Sequence, residues 1–128
     1  MLRVWQRLAW LEEDLQRVET PRSAAPAVPF SLASLGEGLG SLYVIEGSAL
    51  GEQVIFQKAA DALRVSAERG GRYFHGHGHY TAAVWADFLR VLNAVPPWSA
   101  AGDQAEVGAR RTFELFAAVM RTRHLAAR

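Results

Sequence analysis

The stretch LGEGLGSLYVIEGSALGEQVI, residues 35–55, decides how this chain can fold. Its glycines Gly36, Gly40, Gly47 and Gly51 are 4, 7 and 4 residues apart, which places them on one stripe of a single helix. Such a stripe has no side chains, so the backbone itself forms the surface. Either a second helix approaches this surface closely, or a flat, rigid ligand lies against it. The pattern alone leaves both interpretations open.

The glycine-rich stretch belongs to a longer segment with a helical period of apolar residues. Ser34 followed by Glu37 has the spacing of a capping box, so we expect a helix that starts at Ser31 or Ser34 and runs to about Ala67. Each glycine inside a helix costs about 0.8–1 kcal/mol relative to alanine. With Gly38 included, the five glycines predict a break or a kink unless tertiary contacts hold the helix.

Helical periodicity recurs on both sides of this segment, and no stretch shows sustained strand alternation. We expect a helix over residues 1–19, a glycine-interrupted loop over 72–80, a third helix from Thr81 and a fourth from Asp103. The residues that share one face of these three helices are Trp5, Leu8, Leu11, Leu15 and Val18; Trp85, Phe88, Leu89 and Leu92; and Phe113, Phe116, Met120 and His124. The predicted fold class is all-α, a small bundle of three or four major helices.

Length and composition bound the classes of function. A chain of 128 residues suits one domain, so we expect a single domain over residues 1–128. A net charge of +1 gives no reason to expect a nucleic-acid or membrane partner. The absence of cysteine excludes disulfides and thiol catalysis. There is neither an apolar run of ~18 residues nor a signal peptide, so we expect a cytoplasmic location.

Residues 42–55 resemble the distal helix of bacterial heme oxygenases, whose pattern reads Gly-x-Leu-Tyr-Val-x-Glu-Gly-Ser-x-Leu-Gly-Gly. Residues 71–78, GRYFHGHG, resemble that family's turn of aromatic residues and glycines. Trp85, Phe88 and Arg90 match its tryptophan–phenylalanine–basic pattern on the next helix. The resemblance runs in order along the whole chain. It implies an all-α, heme oxygenase-like helical bundle that holds heme between a proximal and a distal helix.

The resemblance also implies which residues carry the chemistry. Gly47 and Gly51 would let the distal backbone approach the bound dioxygen and flex when heme enters. Ser48 stands where many relatives carry a polar residue that organises pocket water, and a hydroxyl both donates and accepts hydrogen bonds. These three residues are the expected catalytic positions.

Heme is planar and mostly apolar, with two carboxylates at one edge, so its pocket needs aromatic walls and a few cations. By resemblance, Phe88 and Phe113 are the walls and Arg90 pairs with a propionate. Outside the family pattern, such aromatic residues are more often plain core and a lone arginine more often lies in solvent. The expected cofactor-binding residues are Tyr43, Phe88, Arg90 and Phe113.

Two features depart from the family pattern. The family's axial heme ligand is a histidine on its first helix, whereas the first histidine here is His75. We therefore expect an N-terminally shortened fold: a truncated reading frame, a shortened relative without catalysis, or an oligomer that ligates iron from another histidine. The uncovered apolar face would favour self-association. In addition, Glu52 replaces the second glycine of the Leu-Gly-Gly step, beside the expected oxygen site or pointing to solvent.

A second cluster of interest is the alternation His75, His77 and His79 with glycine. In an extended stretch these imidazoles share one side and could bind Zn²⁺, Ni²⁺ or Cu²⁺, with Glu52 completing the site. Histidines in such a turn are more often merely polar. The metal site is therefore the less common outcome of this pattern.

The activity that the resemblance implies is that of a heme oxygenase (decyclizing). Heme is both substrate and cofactor, dioxygen and electrons from an external donor are consumed, and biliverdin, carbon monoxide and ferrous iron are released. A reductase or ferredoxin is the implied electron-transfer partner. Two alternatives stay open: a non-catalytic heme- or tetrapyrrole-binding protein of the same fold, and a dimerisation module whose glycine stripe packs helix on helix.

Overall fold

Five α-helices and one 3₁₀ turn make up the secondary structure of the computed structural model, which describes residues 4–21 and 28–126 (side chains within 6–21 and 28–122). They are α1 (Val4–Arg17), α2 (Leu35–Leu63), α3 (Arg72–His75), the 3₁₀ turn Gly78–Tyr80, α4 (Thr81–Asn93) and α5 (Ala100–Ala126). The described residues form isolated β-bridges but no strand, so the all-α prediction is confirmed. Among the described helices, none combines the length and the apolar character needed to cross a bilayer.

Helix α2 begins where the capping box predicts. The Glu37 amide donates to Ser34 Oγ at 3.1 Å, and the Glu37 carboxylate accepts from the Ala33 amide at 3.0 Å. The helix then continues for 29 residues, so the break that its glycines predict does not occur. It ends at Leu63, four residues before the predicted end, because Arg64 adopts a left-handed conformation with φ 53°.

Some of the other helix boundaries differ from the predicted ones for local reasons. Residues 72–80 are not a loop, since they contain α3 and the 3₁₀ turn. Helix α4 begins at Thr81 as predicted. The Thr81 hydroxyl donates to the Gly78 carbonyl at 2.8 Å, in the 3₁₀ turn that precedes the helix. Helix α5 begins three residues before Asp103, because Ser99 Oγ accepts from the Gly102 amide at 3.1 Å and caps its N-terminus.

The chain divides into two compact units: the first comprises Met1–Ser23 and Glu46–Leu89, and the second comprises Ala24–Ile45 and Arg90–Arg128. The prediction of a single domain over the whole chain stays a prediction. In the first unit, α1 does not bury its apolar face, since Leu8 and Leu11 are 54% and 37% exposed. Arg7 and Asp14 are buried instead, because both have partners in the site described below. The Trp5 side chain lies outside the described residues.

In the second unit, the start of α2 packs against α5 through glycine. A Cβ added at Gly36 would lie 2.7 Å from Gln104 Cβ, and one added at Gly40 would overlap the Ala105 carbonyl. A Cβ added at Gly108 of α5 would likewise overlap the Glu37 carbonyl. For this half of the glycine stripe, close helix packing is therefore the correct interpretation.

The face that α5 buries also differs from the apolar stripe seen in the sequence. Gly108 and Thr112 are buried; the Thr112 hydroxyl donates to the Gly108 carbonyl at 2.8 Å, and its oxygen shares a hydrogen bond with the Ser41 hydroxyl at 2.9 Å. The Arg111 guanidinium forms an ion pair with Glu37 at 2.9 Å. The predicted stripe on α5 lies largely exposed at Phe113, Phe116 and Met120, whereas the His124 side chain lies outside the described residues.

Candidate functional site

The second half of the glycine stripe, in the first unit, has an open surface at Gly51. Gly51 is exposed, and a Cβ built there would meet no atom within 4 Å. Val54 and Ile55, one turn further along α2, are 50% and 56% exposed. Bare backbone with apolar side chains beside it is a surface against which a flat apolar ligand can lie.

Gly47 is partly covered by an aromatic ring. A Cβ added at Gly47 would lie 3.2 Å from the edge of the Trp85 ring. Trp85 stacks on Phe88 with ring centroids 5.7 Å apart and an interplanar angle of 28°. Phe88 is 1% exposed, so it belongs to the core of the first unit. Its predicted role as a wall of a heme pocket stays a prediction.

Glu52 does not point to solvent: its side chain is 14% exposed, and three polar side chains bond to its carboxylate. The Ser48 hydroxyl donates to Glu52 Oε1 at 2.9 Å, one helical turn away. The Tyr73 hydroxyl donates to the same oxygen at 3.3 Å. The other oxygen, Oε2, forms an ion pair with the Arg7 guanidinium from α1. We refer to Arg7, Ser48, Glu52 and Tyr73 as the Glu52 cluster.

The charges in the Glu52 cluster are those of the Arg7–Glu52 ion pair, whose two side chains are 4% and 14% exposed. The Arg7 guanidinium also lies over the Tyr73 ring, 4.7 Å from its centroid, in a cation–π contact. Burial raises the pKa of the Tyr73 hydroxyl above its ordinary value of 10.0; Arg7 opposes this rise and Glu52 adds to it. Tyr73 therefore stays a neutral hydrogen-bond donor to Glu52 at physiological pH.

Partly buried polar contacts hold the turn that carries Tyr73 in place. The Asp14 carboxylate accepts from the backbone amides of Arg72 and Tyr73 at 2.9 and 2.8 Å. The Gln53 side chain, next to Glu52 on α2, donates to the carbonyls of His75 and Gly78 at 3.1 and 2.6 Å. These bonds connect α1, α2 and residues 71–78 within the first unit.

The three alternating histidines do not converge. The His75 ring meets Phe56 edge-on at 5.5 Å, whereas His79 lies against Tyr80 with centroids 4.0 Å apart. His77 Nε2 lies 4.0 Å from a carboxylate oxygen of the buried Glu46. In the part of the chain that the structure describes, no three metal-ligating side chains are grouped closely enough for one ion. We therefore do not propose the predicted metal site.

The remaining predicted site residues belong to the second unit. Tyr43 and Phe113 are 41% and 58% exposed, and Arg90 is also exposed. Their side chains are accessible, which is compatible with the predicted contacts to heme. Their roles stay predictions.

Three residues around the site, Arg7, Asp14 and Gln53, were not predicted from the sequence. Arg7 and Asp14 are two helical turns apart and share one face of α1, a weak signal that two polar residues occupy a buried stripe. Gln53 lies beside the quoted glycine motif but makes backbone contacts that no spacing predicts. Only the tertiary structure identifies these three as the residues that position the site.

Comparison with known proteins identifies the family to which the chain belongs. The family model described as heme oxygenase matches residues 4–122. Heme oxygenase PigA of Pseudomonas aeruginosa is 39% identical over 62 residues, which is 48% of this chain and 31% of that relative. The match thus spans about a third of the relative's length, and no solved structure matches. Because the family model covers nearly all of the described residues, the chain belongs to the heme oxygenase family.

Proposed function

We propose that this protein binds heme and opens the heme ring oxidatively at a meso carbon, releasing biliverdin, carbon monoxide and ferrous iron. The observation that carries the proposal is the open backbone of Gly51 beside Ser48, in a chain of the heme oxygenase family. Heme supplies the iron at which dioxygen is activated. Dioxygen and electrons from an external reductase or ferredoxin would be consumed.

The residues around Gly51 fit one face of a planar macrocycle. No Cβ separates the backbone of Gly51 from a ligand, and the exposed side chains of Val54 and Ile55 offer apolar contact. Ser48 is the nearest hydroxyl along the helix, one residue after Gly47. We therefore propose that this backbone limits the approach of dioxygen to one side and that Ser48 binds a water molecule there.

From the resemblance alone, we propose that Tyr43 and Phe113 contact the heme ring and that Arg90 pairs with a propionate through its planar guanidinium. The exposure of all three side chains supports these roles. Phe88 would act behind Trp85, because it is buried. We assign no axial ligand to the iron.

Heme titration followed by turnover tests the proposal. Hemin is added to the protein while the Soret band is recorded, and then a reductant and air are supplied. We expect a saturable Soret shift followed by loss of heme, a green bilin product and carbon monoxide. Binding without any bilin would instead identify the non-catalytic alternative, and the absence of a Soret shift would contradict both.

A Gly51→Leu variant tests the site itself. The added side chain has open space to occupy, so the fold should persist, while the ligand surface is blocked. We expect at least tenfold weaker heme binding, which corresponds to about 1.4 kcal/mol. Gly38→Leu is the matched control, because Gly38 is also a glycine of α2 whose added Cβ meets nothing within 4 Å. Equal heme affinity in the two variants would contradict the proposed site.

A further inference from the structure

Trp85 is the side chain that covers one of the two glycines at the proposed heme surface. The Trp85 atoms nearest to a Cβ built at Gly47 are Cη2, Cζ3 and Cζ2, at 3.2, 3.5 and 3.8 Å. All three are carbons of the six-membered ring, and none is the indole nitrogen, the only hydrogen-bonding atom of this side chain. A hydrocarbon edge therefore stands over the backbone of Gly47.

Gly47 and Gly51 lie on the same side of α2. Because they are four residues apart, they differ by about 40° around the helix axis and by about 6 Å along it. The space over Gly47 holds the Trp85 ring, whereas a Cβ at Gly51 would meet nothing within 4 Å. The open surface thus ends at Trp85 on its N-terminal side and continues toward the exposed Val54 and Ile55 on the other.

The core of the first unit holds the Trp85 ring in this place. The ring stacks on Phe88 with centroids 5.7 Å apart, and Phe88 is 1% exposed. Moving Trp85 away from Gly47 would separate a packed aromatic pair, which costs free energy. The ring therefore resists displacement by a ligand that lies over Gly51.

A porphyrin centred over Gly51 would reach Trp85, because about 6 Å along the helix is comparable to the distance from the porphyrin centre to its substituents. These substituents are not alike: methyl and vinyl groups are hydrocarbon, whereas the two propionates are charged. Against the edge of Trp85, a propionate would lose water without gaining a hydrogen bond, and a methyl or vinyl group would gain apolar contact. The contact therefore distinguishes the in-plane orientations of heme.

We propose that Trp85 is a specificity-determining residue, which receives the hydrocarbon rim of heme over Gly47, turns the propionates away from that side and thereby fixes which meso carbon is opened. This inference rests on the proposed function, because it requires heme on the open surface at Gly51. It concerns the orientation of the substrate and assigns no step of the reaction to Trp85.

The in-plane orientation of bound heme tests the proposal. Hemin is added to the parent and to Trp85→Ala, and the paramagnetically shifted heme methyl signals are recorded by proton NMR, since each orientation gives its own set. We expect one dominant orientation in the parent and a change of about tenfold or more in the ratio of orientations in Trp85→Ala. After turnover, the ratio of bilin isomers should change in the same direction. Trp85→Phe, whose shorter ring stays aromatic, should lie between the two.

Two control variants should keep the parental ratio. Leu89→Ala removes a partly buried apolar side chain from the same helix and so reports the effect of a loosened core alone. Trp98→Ala removes an exposed tryptophan of the second unit. If Trp85→Ala does not fold, Trp85→Phe decides by the same comparison.

The possible failures are distinguishable. An unchanged orientation in the Trp85 variants, an equal change in Leu89→Ala, or an even mixture of orientations in the parent would overturn this inference while leaving the proposed function intact. A parent chain that binds no heme would overturn the proposed function and, with it, this inference.

Discussion

Gly40 and Gly51 belong to one stripe of one helix, yet their surroundings differ. The backbone at Gly40 touches the carbonyl of Ala105, whereas the backbone at Gly51 is open. The same residue type therefore serves close helix packing at the first position and leaves a free surface at the second. Gly47 is intermediate, with the edge of the Trp85 ring against it.

Gly40→Ala should destabilise the protein. The new methyl group would overlap the Ala105 carbonyl, and a helix backbone cannot move away as a flexible side chain can. We expect a loss of about 1–3 kcal/mol or more in the free energy of unfolding, measured with chemical denaturant. The control Gly38→Ala should gain about 0.8–1 kcal/mol, because helix propensity improves where space is free. Similar stabilities for the two variants would contradict the packing described here.

Tyr73 makes stability depend on pH in the alkaline range. Its pKa is raised in the folded state, chiefly by burial, so the unfolded chain loses this proton first. The contribution of Tyr73 is therefore fully present below its ordinary pKa of 10.0 and is lost as the pH rises through the raised value. We expect the free energy of unfolding to fall more steeply above pH 10.0 in the parent than in Tyr73→Phe. Tyr80→Phe, at an exposed position, should behave like the parent.

Helix α2 owes its start to a local signal and its continuity to tertiary contacts. Ser34 and Glu37 close the capping box, which requires only neighbouring residues. Glycines weaken the helix, and at Gly36 and Gly40 close contacts with α5 compensate for this loss. Helix propensity alone therefore predicts the wrong outcome for the first turns of α2.

Ser34→Ala should cost about 1 kcal/mol in the free energy of unfolding, because the Glu37 amide loses the oxygen that caps it. Denaturant titration of the variant and the parent measures the difference. Ser31→Ala is the control at an exposed serine just before the cap, and its effect should stay within about 0.5 kcal/mol. A larger effect at Ser31 than at Ser34 would show that the helix is capped elsewhere.

At the scale of the whole molecule, many large apolar side chains lie exposed. Trp98, Leu35 and Met120 are 85%, 84% and 72% exposed, and Leu8 is 54% exposed. Association would remove such exposed apolar surface from water. The prediction of self-association stays a prediction, now supported by the exposed stripe on α5.

Sedimentation velocity at micromolar concentrations should show concentration-dependent association of the parent chain. Exchanging Phe116 and Met120 together for glutamine should shift the equilibrium toward the monomer, because two exposed residues of the α5 stripe lose their apolar surface. Circular dichroism verifies that the variant keeps its helices. A parent chain that sediments as a clean monomer would contradict the prediction.

The amino-acid sequence by itself determined the all-α class, the capping of α2 and the glycine motif that indicated the heme oxygenase family. Each of these depends on residues close together along the chain, where periodicity, caps and motif spacing are visible. The exposed faces of α1 and α5 were not predictable in this way, since an apolar stripe does not say what covers it.

Only the tertiary structure decided that Arg7 and Asp14 are the buried residues of α1 and that Glu52 is bonded inward. It also decided which glycines pack against a helix and which stay open. The physical reason is the same in each case. Burial of a polar side chain and close approach of two backbones depend on partners far away in the sequence, and the free energy of such contacts exists only once the chain has folded.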